Sequence, residues 1–294
     1  MINARHREWG EGAFGISSLR GLLPCFGEGL IEELVAIGVR DVVGIVLIEW
    51  QFHEIFSVYH IRSVSYLHDY RVTLLLFFDK IIYIKVTDLP DISIKGKKDY
   101  KLLSLQMENL FKGIKSAKPN DLIIFSDEDE IPNPNIINGF NFNNHKFGIF
   151  LQNMYYYKLN IMNIDEGNGN WPGSRICQKK NLKSFFKLRL LKIKNLKYPF
   201  WRIDKEKNIE LIKNGGWHFT YLMKPQEISK KIQDMAHTEF NKEKFKDISY
   251  IENNIINLKD PFNRDLNLRK TDIDDSFPDY IKKNKELFKE WILQ

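Results

Sequence analysis

A chain of 294 residues that is 43% hydrophobic and 13% aromatic can bury one large core, or a core and a small lobe. Its 44 Lys and Arg outweigh its 38 Asp and Glu, and the formal charge of +6 favours weak attraction to a diphosphate or an anionic lipid surface. The basic residues alternate with apolar ones and carry no recognition motif, which argues against nucleic acid, and Cys25 and Cys177 make neither a disulfide framework nor a metal-ligand spacing.

At the front, Met1 to Arg7 is followed by Glu8, Trp9 and glycines, not by the apolar core of a secretion signal. The longest apolar stretches, 42–58 and 72–84, are interrupted by Glu49, His53 and Glu54 and by Asp79 and Lys80, so neither predicts a membrane span. The expectation is a cytoplasmic protein with, at most, a peripheral contact at the inner face of an anionic membrane. Residue usage changes abruptly along this region. Lys80 is the first lysine, and Asn3 is the only asparagine before Asn109. We therefore read 1–78 as an atypical segment that supplies part of a nucleotide-binding half, and 79–294 as the catalytic region. The front is either substituted, fused or frame-shifted, or else a divergent strand-helix-strand unit.

Tyr100 to Lys115 predicts a helix, with Leu103, Met107, Leu110 and Ile114 at helical spacing, and residues 116–120 stop it. The apolar run Leu122-Ile123-Ile124 then leads into Phe125-Ser126-Asp127-Glu128-Asp129-Glu130-Ile131-Pro132. Such a strand is expected to be covered on both faces, with its acidic end opening into the crevice where α/β proteins hold ligands. Strand alternation would put Asp127 and Asp129 on one side and Glu128 on the other. Hard oxygen ligands in this pattern suit Mg²⁺ or Mn²⁺ gripping a diphosphate, while a solvated acidic loop is the plainer alternative. Two enzyme classes place Asp-x-Asp after an apolar strand. Nucleotide-sugar transferases use it to hold metal and donor, whereas haloacid-dehalogenase-type phosphatases use the first Asp as nucleophile and the second as acid.

Asn133-Pro134 predicts a cap and first-turn proline for a short helix. Phe147 to Leu159 reads as an aromatic-rich strand region, and residues 167–170 as a loop before Trp171. Trp217 and His218 follow Gly215-Gly216, where backbone can approach a ligand closely. Gln226 to Ala236 predicts a helix with Ile228, Ile232 and Met235 inward. Ser276-Phe277-Pro278-Asp279 predicts a capping box for a final helix with an inner stripe of Tyr280, Leu287, Phe288, Trp291 and Ile292.

The series as a whole resembles glycosyltransferase family 17, the family of the enzyme that adds bisecting N-acetylglucosamine. The resemblance runs from about residue 79 to the end. It rests on Asp79-Lys80-Ile81-Ile82, Gln106, Gly113, the 121–132 segment, Tyr155 to Asn160, Trp171-Pro172-Gly173-Ser174, Gly215 to Phe219, His237-x-Glu239, Asp260-Pro261-Phe262 and Pro278 to Ile281. Before residue 79 it shrinks to Asp41 to Glu49, which looks like the family's second strand and its terminal acid. The expected opening strand and its Asn-Glu pair are not recognisable.

The resemblance implies an α/β, GT-A-like nucleotide-diphospho-sugar transferase fold with a mostly parallel central sheet. It implies a metal-dependent inverting transfer of N-acetylglucosamine, or a related sugar, from UDP-N-acetylglucosamine to a hydroxyl of a carbohydrate or glycoconjugate acceptor. Metal ligation is expected from Asp127, Asp129 and His218, with Mn²⁺ or Mg²⁺. Donor contacts are expected from Asp127, Asp129, Glu49, Trp171 and Trp217. Trp171 would either stack on a sugar or fill the core, and Glu130 would orient the donor sugar or ligate the metal through water, or else act at a helix start. Glu239 is the expected base, by its chemistry alone. The alternatives are the phosphatase, with Asp274-Asp275 posing as its late acidic pair, and a non-catalytic carbohydrate-binding remnant.

Overall fold

The computed structural model describes residues 42–49, 55–61, 81–85 and 104–294, apart from 106, 128, 138, 166–169 and 235–239. The predicted acidic strand forms as β4 (Leu122–Asp127) and lies near the centre of a single mixed sheet. Its neighbours are β2 (Ile55–Ile61) and β8 (Asn170–Gln178), both antiparallel to it. Beyond β2 come β1 (Val42–Glu49) and β3 (Ile81–Lys85). Beyond β8 come β6 (Phe147–Tyr156), β7 (Ile161–Asn163) and β11 (Leu268–Lys270). Two strands run parallel to β6, β9 (Ile209–Ile212) and β10 (Gly216–Thr220), and β10 also pairs antiparallel with β5 (Glu130–Pro132).

The chain is thus mixed α/β, but the expected mostly parallel sheet is corrected. Among the described pairings only β1–β3, β6–β9 and β6–β10 are parallel. Short links account for two of the antiparallel pairs. Residues 157–160 join β6 to β7 and residues 50–54 join β1 to β2, and such spans permit antiparallel return but are too short for a parallel crossover. The compositionally distinct front contributes β1 and β2 to the same sheet as the rest, and the remainder of 1–78 lies outside the described residues.

Ile123, Ile124, Phe125 and Ser126 are all buried, so β4 is covered on both faces as its apolar run predicts. One cover is the cluster of Met107, Leu110, Ile114 and Phe185 against Ile123 and Phe125. Full burial of side chains of this size stabilises by about 1.5–3 kcal/mol each. The first predicted helix is helical at 104–105 and 107–108 and tightens to a 3₁₀ turn at Asn109–Lys112, with Met107, Leu110 and Ile114 inward and Leu103 outside the described residues. Five further helices relevant here are α1 (Pro134–Ile137), α2 (Phe185–Arg189), α3 (Pro225–Asp234), α4 (Glu243–Lys246) and α5 (Ile248–Ile256). The Asn133 side chain accepts from the Asn135 amide at 3.1 Å, as its capping role predicts. Ile228 and Ile232 of α3 are buried in a second cluster with Tyr157, Tyr221, Ile251 and Phe262.

The C-terminal expectation is corrected. The last helix, α6 (Asp279–Lys283), has five residues, and Ser276 donates to the Asp274 carboxylate at 2.6 Å instead of capping it. A separate 3₁₀ turn follows at Lys289–Trp291. Phe288 is buried as expected, but Leu287 is 71% exposed because the stripe is broken between two short turns. Among the described residues no helix is long and apolar enough to cross a membrane.

Candidate functional site

Strand β4 ends at Asp127 and β5 begins at Glu130, so the acidic run is a break between two strands and not one continuing strand. The simple alternation expected for Asp127 and Asp129 therefore gives way to separate partners. Asp127 is gripped by Arg189 at the end of α2. Nε donates to Oδ1 at 3.1 Å, and Nη2 donates to Oδ2. Helix α2 is placed by its own start, where Ser184 accepts from the Lys187 amide and donates to Glu108. Burial works against the Arg189 charge, but Asp127, then Glu130, raise its affinity for the proton.

Asp129 faces His218 instead. The His218 Nε2 stands 3.2 Å from Asp129 Oδ2, and the backbone is fastened in parallel, since Phe219 N–H donates to the Asp129 carbonyl at 2.9 Å. Burial alone would raise the Asp129 pKa, but the charge and hydrogen bond of His218, helped by Lys231, hold it well below the usual carboxylate range. Burial would likewise lower His218, and Asp129 reverses this, so the imidazole is raised above its ordinary value. His218 Nδ1 is buried and has no hydrogen-bond partner among the described residues. The neutral tautomer favoured here therefore keeps its proton on Nε2, aimed at Asp129.

Glu130 is the cross-strand partner of His218, and Ile131 is that of Trp217. Successive strand residues point to opposite faces, which separates the polar and apolar pairs. Glu130 is only 2% exposed. Its Oε1 accepts from the Trp171 indole at 2.7 Å, and its Oε2 accepts from the Asp127 amide at 3.3 Å and the Ser174 hydroxyl at 3.4 Å. Ser174 in turn accepts from Ser126 at 2.6 Å and from Gln152 at 3.2 Å. Burial, then the Asp127 charge, raise the Glu130 pKa. Trp171 is half-buried, its ring 4.9 Å from that of His218.

Trp217 goes the other way. It is buried with Ile131, Tyr155, Phe219 and Phe277, and its indole donates to the Ser276 carbonyl at 2.9 Å. The structure places it in the core, behind the strand that carries His218. Gly216 has φ +124, and a β-carbon there would stand 2.0 Å from the Ile131 carbonyl oxygen. The close backbone approach expected at Gly215-Gly216 is thus made to other strands of the sheet.

Glu49 closes β1, with its backbone paired to Ile55 and Lys85. Since Phe56 pairs with Asp127, Glu49 and Asp127 sit at the same end of the sheet, two strands or roughly 9–10 Å apart. Glu239 lies outside the described residues, as do His237 and Glu128. The structure therefore brings Asp127, Asp129, Glu130, Trp171 and His218 together and sets Trp217 apart. Sequence reasoning missed Arg189, Arg175 and Gln152. Arg175 is buried, donating to the Pro172 and Leu191 carbonyls, and burial lowers its pKa to about 10. Arg189 bears no local signal, because it reaches the site only through the docking of α2.

Among the described residues no group of three or more His, Cys, Asp or Glu forms a ready metal cage. Two candidate ligand atoms stand close, Asp129 Oδ2 and His218 Nε2, and a cation between them would displace the Nε2 proton that faces Asp129. Neighbouring ligands of an octahedral ion with arms near 2.1 Å are about 3 Å apart, close to the Asp129–His218 separation of 3.2 Å. A carboxylate with an imidazole suits Mn²⁺, and such ions commonly complete their shell with substrate phosphate and water. No family model, curated protein or solved structure matches the chain.

Proposed function

We propose that the chain is a metal-dependent glycosyltransferase on a GT-A-like framework, moving N-acetylglucosamine or a related sugar from a UDP-sugar to a carbohydrate hydroxyl. The observation that carries this reading is the Asp129–His218 pair at the end of the acidic strand, with Asp127, Arg189 and Trp171 beside it. Asp129 and His218 would hold the cation, which supplies positive charge to the departing diphosphate. Arg189 adds a fixed guanidinium whose planar fork suits phosphate oxygens as well as the Asp127 carboxylate. Trp171 offers a half-buried ring for the sugar. Glu130 acts as a positioning residue, since both of its oxygens are occupied in orienting Asp127 and Trp171.

In the transfer itself, the acceptor oxygen attacks the anomeric carbon as that carbon's bond to the diphosphate oxygen breaks. The acceptor proton passes to a carboxylate base, the role assigned to Glu239, and the anomeric configuration inverts. The phosphatase alternative is weakened because Asp127, its nucleophile, is gripped through both oxygens by Arg189, and Asp274 is engaged in the turn at Ser276. The test is UDP release from UDP-N-acetylglucosamine with Mn²⁺, with p-nitrophenyl phosphate as the control. UDP release that disappears with chelation supports the reading. Phosphate release from the control without any action on the UDP-sugar overturns it.

A further inference from the structure

Phe200, Trp201 and Ile203 stand 86%, 66% and 94% exposed on one short protrusion between α2 and β9. We propose that this protrusion is a membrane-docking wedge that inserts its three apolar side chains into an anionic lipid surface. The inference is independent of the transferase reading.

The protrusion is a built structure. Lys207 donates through Nζ to the carbonyls of Pro199 at 2.6 Å, Phe200 at 3.2 Å and Arg202 at 3.1 Å, and the Arg202 amide donates to Pro199 at 3.1 Å. The guanidinium of Arg202 lies 5.1 Å from the Tyr198 ring, and the Phe200 and Trp201 rings meet edge-on at 5.2 Å. This arrangement turns the apolar side chains outward while satisfying the carbonyls beneath them internally. Backbone groups already paired within the protein lose little on leaving water, which is the main obstacle to placing a loop at the depth of lipid. Its base is secured as well, since Arg189 and Arg175 hold the departing chain and Asn208 accepts from the Phe147 amide on its return.

Charge selects the kind of surface. Lys192, Lys194 and Lys197 on the approach, with Arg202, Lys205 and Lys207 in the protrusion, face only Asp204 and Glu206 in the same stretch. Arg202 and Lys205 share the single carboxylate of Asp204, so the collar keeps an excess of positive charge. Exposed tryptophan and phenylalanine ringed by lysine match the interface of an anionic bilayer, where aromatics settle at headgroup depth and each nearby lysine strengthens binding. A sugar platform would use the flat ring of Trp201, but it would leave the almost fully exposed Ile203 without purpose.

The test uses the full chain with phosphatidylcholine vesicles, with and without phosphatidylglycerol, read by co-sedimentation and tryptophan emission. The expected result is binding that requires phosphatidylglycerol, falls with salt and shifts emission to the blue. A Phe200→Ser/Trp201→Ser/Ile203→Ser variant, altered only at exposed positions, should keep its circular dichroism and lose binding by about tenfold or more. Replacing Lys192, Lys194 and Lys197 with Gln should weaken binding roughly fivefold for each lysine that meets the surface. Absence of vesicle binding, or equal binding by the triple-Ser variant, overturns the proposal. A concentration-dependent dimer of the parent chain that the triple-Ser variant dissolves would also overturn it, and would assign the patch to a second copy.

Discussion

Asp129 and His218 meet 3.2 Å apart because β5 and β10 pair antiparallel, and each residue shifts the other's protonation in the direction that keeps both charged. Asp129, depressed below its ordinary 3.8, contributes stability above that value and loses it as pH falls through its folded pKa. His218, raised above its ordinary 6.5, contributes fully below that value and loses it as pH rises through its folded pKa. The pair should therefore stabilise most between about pH 4 and 6.5 and weaken on both sides. Urea midpoints of the parent chain and of Asp129→Asn/His218→Gln, compared across pH, should differ most inside this window. A difference that is flat with pH would show that the pair is not ionised.

The grip of Arg189 on Asp127 predicts strong coupling between them. Arg189→Met should cost about 2–4 kcal/mol of unfolding free energy, because it strands a half-buried carboxylate. Arg189→Lys should recover little of this, since one ammonium cannot reproduce the two-pronged contact. The double variant Asp127→Asn/Arg189→Met should be less destabilised than the two single changes summed, by about 1–3 kcal/mol in a denaturant cycle. Additive effects would mean that the contact carries little energy.

Gly216 allows β10 to cross behind Ile131, and no other residue fits there. Gly216→Ala meets the Ile131 carbonyl at 2.0 Å and the Asn133 amide at 2.7 Å, in a backbone conformation that disfavours a β-carbon. Loss of about 3 kcal/mol or more is expected, seen as a lowered urea midpoint and as a loss of folded yield. A variant as stable as the parent would mean that β10 does not sit against β5.

Much of this arrangement was legible in the sequence wherever the cause was local. The apolar run 122–124 followed by acids became β4, and the Asn133 cap and the Ile228 and Ile232 stripe formed as their patterns require. His218 and Asp129, expected on one metal ion, stand 3.2 Å apart, and the shared ion remains part of the proposal. What escaped notice depends on how distant elements meet. Short links dictate antiparallel pairing only for β1–β2 and β6–β7, and the other partners are set by long-range docking that link length does not reveal. Trp217 turned inward because Glu130, not Ile131, sits opposite His218, a matter of strand register. Arg189 carries no signal until α2 docks on the end of β4.

The most direct test of the transferase account is calorimetric titration of UDP-N-acetylglucosamine into the chain with Mn²⁺ or with a chelator, using the parent, Asp129→Asn and His218→Ala. The account predicts saturable binding by the parent only with Mn²⁺. Binding should be lost in Asp129→Asn, by roughly 3 kcal/mol or about a hundredfold, and weakened in His218→Ala with circular dichroism unchanged. Binding of equal strength under chelation, equal strength in Asp129→Asn, or no binding by the parent chain would contradict it.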